Sequence, residues 1–435
     1  MVVRSEETLA VAHPSHVVVS PAPPGQPLRT VEQAAAYVAG RCLTPAEPGP
    51  VGLEAEWHVL DVHEPRRQPS WNQLSAAVQG FHASAGSALT LEPGGQVELS
   101  TPIAPGARAA ADILDDDEAA LRAHLAGSGL TLFARGVDPG RAMNRIHPGS
   151  RYAAMETAFG AAGHGSAAAH MMTSTASVQV NLEAGAAGTV ARRMWLAQAL
   201  GPAFVAAFAN SPWPAGSDPA LSTAWPAARM RTWARLDPSR TAAPMLRPDD
   251  TDEALAERWA TFALGANVLV LPDADRGHTP GPPVSFAGWL RGGAEFRGRE
   301  PQWSDLDYHL TTLWPPVRLR GFLEVRWLDA LPADIRRIAV TAVSTLMDRV
   351  PDDAAVIAAP TAGLWVTAVQ EGLAHSLLRS TATQLLHLAA AFTEGSDGVA
   401  LSHWAENVTA HGRCPGHELR EAGPVEALSY RSEAA

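Results

Sequence analysis

Four segments of this chain alternate polar and apolar residues with a period of two, and their polar positions carry one kind of chemistry. Successive side chains of a strand point to opposite faces, so each segment reads as a strand with one apolar and one polar face. In 51–60, Val51, Leu53, Ala55, Trp57 and Val59 oppose Glu54, Glu56 and His58. In 95–101, Val97 and Leu99 oppose Gln96, Glu98 and Ser100, with Glu92 just before a Pro-Gly-Gly turn. In 174–182, Ala176, Val178, Val180 and Leu182 oppose Thr175, Ser177, Gln179 and Asn181. In 322–328, Leu323, Val325 and Trp327 oppose Phe322, Glu324, Arg326 and Leu328. One such strand would be ordinary, because antiparallel sheets often leave a face in water. Solvated faces favour Thr, Lys, Arg and mixed charge, whereas these positions are rich in Glu, Gln and Asn, which are hard oxygen donors. Carboxylates on neighbouring strands repel one another unless cations lie between them. Magnesium takes oxygen ligands and keeps positions for water and substrate phosphate, so the pattern predicts a sheet face that serves as a magnesium–nucleotide floor.

The rest of the chain reads as helices and loops around these strands. Helices are expected over 31–42, 107–125, 190–210 with a kink at Gly201-Pro202, 252–262 and 304–314, the last capped at Ser304 or Asp305. A further short strand is expected over 130–135, and mostly helices from 334 to 408. The segments 213–250 and 276–301 are Pro- and Gly-rich and read as loops. Strands come mainly from the first three-quarters of the chain and helices crowd its end, without regular βαβ alternation. The fold class is therefore α+β with a largely antiparallel sheet. The domain reading is a disordered tail over 1–30, one catalytic domain over 31–425 and a frayed end over 426–435.

Composition narrows the chemistry. All 33 Lys-plus-Arg residues are arginine. That excludes a lysine Schiff base and a Walker A loop, and leaves metal, arginine or backbone N–H groups for phosphate. A net charge of −12 argues against nucleic-acid binding. Cys42 and Cys414 are too far apart in sequence for a disulfide framework and suit a reducing compartment. No apolar run is long enough to span a membrane, and the first 27 residues lack a secretory signal, so a cytoplasmic location is expected.

Gly52-Leu53-Glu54-Ala55-Glu56, then Glu92 through Ser100 (EPGGQVELS), then Met171 through Asn181 (MMTSTASVQVN) resemble the glutamate–cysteine ligase family of plants and many bacteria. Arg151-Tyr152-Ala153-Ala154-Met155 and Leu323-Glu324-Val325-Arg326 fit the same pattern. The resemblance runs from about residue 50 to 330 and is nearest the actinobacterial branch that supplies γ-glutamylcysteine for ergothioneine synthesis. It implies a glutamine-synthetase-like fold, whose curved sheet carries the active site on its concave face and helices on the other. It implies ATP-dependent joining of the glutamate γ-carboxyl to the cysteine amine through a γ-glutamyl phosphate. Its site residues, carried over, are magnesium ligands Glu54, Glu56, Glu92, Glu98, Gln179, Asn181 and Glu324, with Glu324 and Arg326 catalytic. Some relatives have a His on the strand that here offers Gln179 and Asn181. Arg240, Arg229, Arg151, Tyr152 and Thr175 are expected to bind substrate, and Gln96 and Ser177 the nucleotide.

Two other readings stay open from sequence: a carboxylate–amine ligase with a different substrate pair, and a non-catalytic metal- or nucleotide-binding homologue. Bland readings are expected for His58 (structural) and for Asp115-Asp116-Asp117-Glu118 (a solvated helix face). Trp233 or Trp289 could line a pocket, and Gly292-Gly293 with Arg291, Arg297 and Arg299 could cover phosphates.

Overall fold

The alternating segments pair into one antiparallel sheet. In the computed structural model, which describes residues 26–215, 224–242, 244, 246–271, 283–296 and 298–422, seven strands form it. They are β1 (Val51–Asp61), β2 (Ala88–Leu91), β3 (Val97–Ser100), β4 (Leu130–Phe133), β5 (Ser177–Glu183), β6 (Val317–Leu319) and β7 (Phe322–Asp329). Their order is β2-β3-β1-β5-β7-β6, with β4 on the far half of β1. Every pairing is antiparallel.

The apolar face is the core. Leu53, Trp57, Leu99, Val180, Leu182, Val325 and Trp327 are each at most 1% exposed. Helices Ala107–Ala126, Val190–Ala207 and Ala333–Asp348 cover that face, and each large side chain buried there contributes about 1.5–3 kcal/mol. Of the acidic run on the first of these helices, expected as a solvated face, Asp116 alone is exposed. Asp117 and Glu118 are buried. Asp117 accepts from the backbone N–H groups of Ala85 and Ser87 at 2.8 and 2.9 Å. Glu118 and Asp115 hold Arg336 at 2.6 and 2.5 Å, under the Trp57 ring.

Several expectations about the connections change. The 213–250 stretch contains helices Ala228–Arg235 and Pro238–Thr241, and 276–301 contains helix Phe286–Gly292. Two helices, Ser150–Ala161 and Gly165–Ser174, precede β5, so that strand begins at Ser177 rather than Ser174. Helix Trp303–Leu310 starts one residue early: Gln302 is its cap, and Asp305 closes the capping box. Helix Val190–Ala207 runs through Pro202. Leu28, expected in the tail, is 1% exposed, and its N–H donates to Pro301 O. Residues 1–25 of that tail and the 426–435 end lie outside the described residues.

Candidate active site

Strand register brings most of the expected residues onto one surface. Glu54 of β1 sits opposite Ser100 of β3 and Gln179 of β5, and Glu56 sits opposite Glu98. Asn181 sits opposite Glu324 of β7. Hydrogen bonds tie the three carboxylates Glu54, Glu56 and Glu98 to other side chains and backbone on this surface. Asn181 Nδ2 donates to Glu54 Oε1 at 3.0 Å. The N–H and hydroxyl of Ser177 donate to Glu56 Oε2 at 2.8 and 3.1 Å. Thr90 and Ser100 hydroxyls donate to Glu98 Oε1 at 3.0 and 3.4 Å.

The charges on this surface fall into two zones. On the β1–β3 side, carboxylates crowd together. Burial and then the neighbouring charges of Glu54, Glu92 and Glu56 push the Glu98 carboxyl well above its usual range. Burial and Glu324 push Glu54 up. Burial also raises Glu56, against the lowering pull of Arg229 and Arg326. On the β6–β7 side, the balance reverses. Burial alone would raise Glu324, but the guanidinium groups of Arg318, Arg326 and Arg320 outweigh it and hold the carboxyl far below its usual range. Arg318 donates to both Glu324 oxygens at 2.5 and 2.7 Å, Arg320 to one at 3.1 Å, and Arg326 to the other at 2.9 Å. Arg326 also donates to Gln179 Oε1 at 2.5 Å.

These donors fit a divalent cation on one side only. Glu54, Glu56 and Glu98 are oxygen donors whose mutual repulsion a cation would relieve. Among the described residues no three Asp, Glu, His or Cys side chains converge into a ready-made metal cage. Glu324 does not fit as a ligand here, because both its oxygens accept from arginines.

Other expected residues are engaged elsewhere. Arg240 is fully buried: it donates to Asp237 at 3.0 Å, to Thr312 O at 2.8 Å and to Asn267 O at 2.5 Å, between Phe159 and Trp314. A guanidinium so enclosed cannot clamp a substrate without dismantling its surroundings. Arg229 is also buried. It donates to Arg326 O at 2.8 Å and lies 3.6 Å from Asp329, so it braces the backbone beneath Arg326. The Thr175 hydroxyl donates to Met171 O at 2.6 Å, ending the Gly165–Ser174 helix. Gln96 is a brace between backbones: its oxygen accepts from Gly94 N at 3.0 Å and its amide donates to Thr175 O at 2.8 Å. Arg151 lies over the Tyr308 ring and donates to Thr311 at 3.2 Å, and Tyr152 packs edge-on against His147. Each of these contacts runs to a structural partner rather than to a floor carboxylate. His58 is buried with Nε2 against Arg135 O at 3.1 Å, and burial lowers its pKa to about 4, so it is a neutral structural residue. Trp289 is buried and donates to Arg299 O, while Arg299 forks onto Asp305 at 2.6 and 2.7 Å. Arg297 lies outside the described residues.

The sequence reading missed Arg318 and Arg320. Their signal was present in Val317-Arg318-Leu319-Arg320, a two-residue alternation ahead of Gly321 that places both arginines on the Glu324 face.

Comparison with known proteins gives the family and the fold. The model of glutamate–cysteine ligase family 2 matches residues 50–431. The chain is 43% identical over 364 residues to the glutamate–cysteine ligase EgtA of Mycolicibacterium smegmatis, covering 83% of this chain and 84% of that one. It is 41% identical over 362 residues to the EgtA of Mycobacterium tuberculosis, covering 82% of each. The chloroplastic glutamate–cysteine ligase of Arabidopsis thaliana is 28% identical over 249 residues, covering 56% of this chain and 46% of that one. Among solved structures, the glutamate–cysteine ligase of Francisella tularensis in complex with AMP superposes with a TM-score of 0.52 at 13% identity. It covers 89% of this chain and 90% of that one, a likeness of fold. No helix among the described residues is long and apolar enough to cross a membrane. From register, charge zones and relatives together, the chain belongs to glutamate–cysteine ligase family 2 and is a ligase of that family.

Proposed function

We infer that the protein joins the γ-carboxyl of L-glutamate to the amine of L-cysteine, using ATP and releasing ADP and phosphate. The observation that carries the reading is the division of one sheet face into a carboxylate zone and an arginine zone in a chain with these relatives. An amide does not form from a free carboxylate, so the glutamate carboxylate must first take the γ-phosphoryl of ATP. Arg326, held by Glu324 and Gln179, is placed to counter the charge that develops on the transferring group. Arg318 keeps Glu324, and through it Arg326, in place. The cysteine amine then attacks the γ-glutamyl phosphate and phosphate leaves.

Magnesium would be held by Glu54, Glu56 and Glu98, with Glu92, Gln179 and Asn181 beside them; when bound, it neutralises the phosphate oxygens and orients them for in-line transfer. The substrates are small molecules, the reaction belongs in the cytoplasm, and the product serves ergothioneine synthesis. The last point rests on the likeness to the actinobacterial branch. The test is ADP release with ATP and Mg²⁺ plus glutamate, cysteine, both, or glutamate with other amines. Turnover that needs both, with γ-glutamylcysteine found by mass, is expected. Turnover with another amine would replace the substrate pair, and ATP binding without turnover would mark a binding homologue.

A further inference from the structure

The alternation of 322–328 breaks once, at Arg326. β7 pairs Val325 with Val180 but Leu328 with Val178, so Arg326 and Trp327 together face Gln179. Two residues against one make a β-bulge, which re-aims the side chains around it. Its effect here is a change of face. Leu328, expected on the polar face, is buried in the core, and Asp329 comes opposite Ser177 on the floor side.

The bulge needs support that the sheet does not supply. On the β6 side, Arg326 N donates to Pro316 O at 2.9 Å, continuing the register that pairs Val317 with Val325. A hydrogen-bonded antiparallel pair exchanges two bonds, but Pro316 has no N–H to return. The Arg326 carbonyl accepts instead from Arg229 Nη2 at 2.8 Å. Arg229 is held in turn by Asp329. Asp329 Oδ2 accepts from Asn210 N and the Ser211 hydroxyl at 2.8 and 2.7 Å, which leaves Oδ1 for Arg229 Nη1, 3.6 Å away. The anchor is itself fixed. Ser211 Oγ accepts from Arg229 N at 3.2 Å, and the Asn210 side-chain amide donates to Ala134 O and Ala330 O at 2.9 and 2.8 Å. Asp329 is 3% exposed, and a Cβ on Gly136 would lie 2.4 Å from its Cγ, so this carboxylate has no room to swing toward substrate.

We propose that Asp329 is a positioning residue for phosphoryl transfer: acting through Arg229, it fixes the bulge that aims Arg326 at the transferring group. It contributes to kcat and not to binding, because it touches neither substrate nor nucleotide. This assignment rests on the ligase reading and names a residue that readies the same site.

The experiment measures kcat, KM for glutamate and cysteine, equilibrium ATP binding and thermal midpoint for wild type, Asp329→Asn, Arg229→Gln and the double variant. Asp329→Asn keeps the shape but loses the charge that holds Arg229. It should lower kcat on the order of a hundred-fold, with ATP affinity and both KM values within about two-fold of wild type. Because Asp329 acts through Arg229, the double variant should turn over within about two-fold of Arg229→Gln alone. Ser211→Ala removes one donor from Asp329 and one acceptor from Arg229 N, and should lower kcat about five-fold. Made alone and with Arg229→Gln, it gives the same comparison if Asp329→Asn does not fold. Losses that multiply in the double variant would mean that Asp329 merely holds its loop, and would overturn the assignment. So would unchanged kcat in Asp329→Asn or Ser211→Ala, or a loss confined to KM. Any of these results beside a wild type that makes γ-glutamylcysteine sinks only this proposal; a wild type without turnover sinks the ligase reading on which it stands.

Discussion

Glu324→Gln removes the charge on which the arginine zone is built. The wild-type carboxylate is fully buried and takes four donated hydrogen bonds from Arg318, Arg320 and Arg326. The amide keeps one acceptor oxygen and turns an NH₂ donor toward the guanidinium groups. Breaking a buried ion pair by neutralising one partner costs about 3–5 kcal/mol, so a loss on the order of 5 °C in thermal midpoint is expected for a chain of this size. Turnover should fall by about a thousand-fold, because Arg326 loses the partner that aims it. The pH dependence has a definite sign. The carboxyl is depressed by its arginines, so its stabilisation is complete above the ordinary carboxylate range and fades only as pH falls through the depressed value. The gap between wild type and variant should therefore be full at pH 7 and remain large at pH 5. Thermal denaturation at both pH values, with ADP release at pH 7, checks this. A variant with wild-type midpoint and turnover would refute the reasoning.

The other predictions follow from buried or crowded groups. Arg240→Met should destabilise the fold by about 3–5 kcal/mol, since it leaves Asp237 buried without its guanidinium; normal stability with a raised glutamate KM would restore it as a substrate clamp. Mg²⁺ should raise the thermal midpoint of the wild type more than that of Glu98→Gln, because the variant has already relieved part of the carboxylate crowding, and equal shifts would argue against that. Burial lowers the His309 pKa to about 4, so its unfolded form binds the proton first and stability falls as pH drops from about 6.5 toward 4. Replacing His309 by Gln should flatten that part of the stability–pH curve, and an unchanged slope would contradict it. Gly94→Ala should cost about 1–3 kcal/mol and lower turnover, because its methyl meets the Thr173 carbonyl; unimpaired stability would show that the turn can shift.

What the sequence disclosed follows the range of each signal. Strands with one apolar face announce themselves by period two, so Glu54, Glu56, Glu98, Gln179, Asn181, Glu324 and Arg326 could be placed on one surface before any coordinates. The helix Val31–Cys42 was equally legible, from its alanine-rich spacing and terminal glycine. Helices Ser150–Ala161 and Gly165–Ser174 were not, because their small residues make no clear apolar stripe, and the last residue of the second, Ser174, was read as the start of the strand after it. β6 is three residues long, between a double proline and Arg320-Gly321, so its alternation covers too few positions to stand out from the loops around it. Burial of polar groups was the hardest to see. Glu118 is buried by an arginine 218 positions away, and Arg240 by Asp237, Thr312 and Asn267. Local composition shows a charge but not the distant partner that encloses it.

The central claim is that this floor activates a carboxylate by phosphorylation before an amine attacks. The most direct measurement is oxygen transfer: glutamate carrying oxygen-18 in its γ-carboxylate is turned over with cysteine, ATP and Mg²⁺, and the released phosphate is analysed by mass. The account predicts one labelled oxygen in the phosphate for each γ-glutamylcysteine formed, whereas unlabelled phosphate alongside labelled product would contradict it.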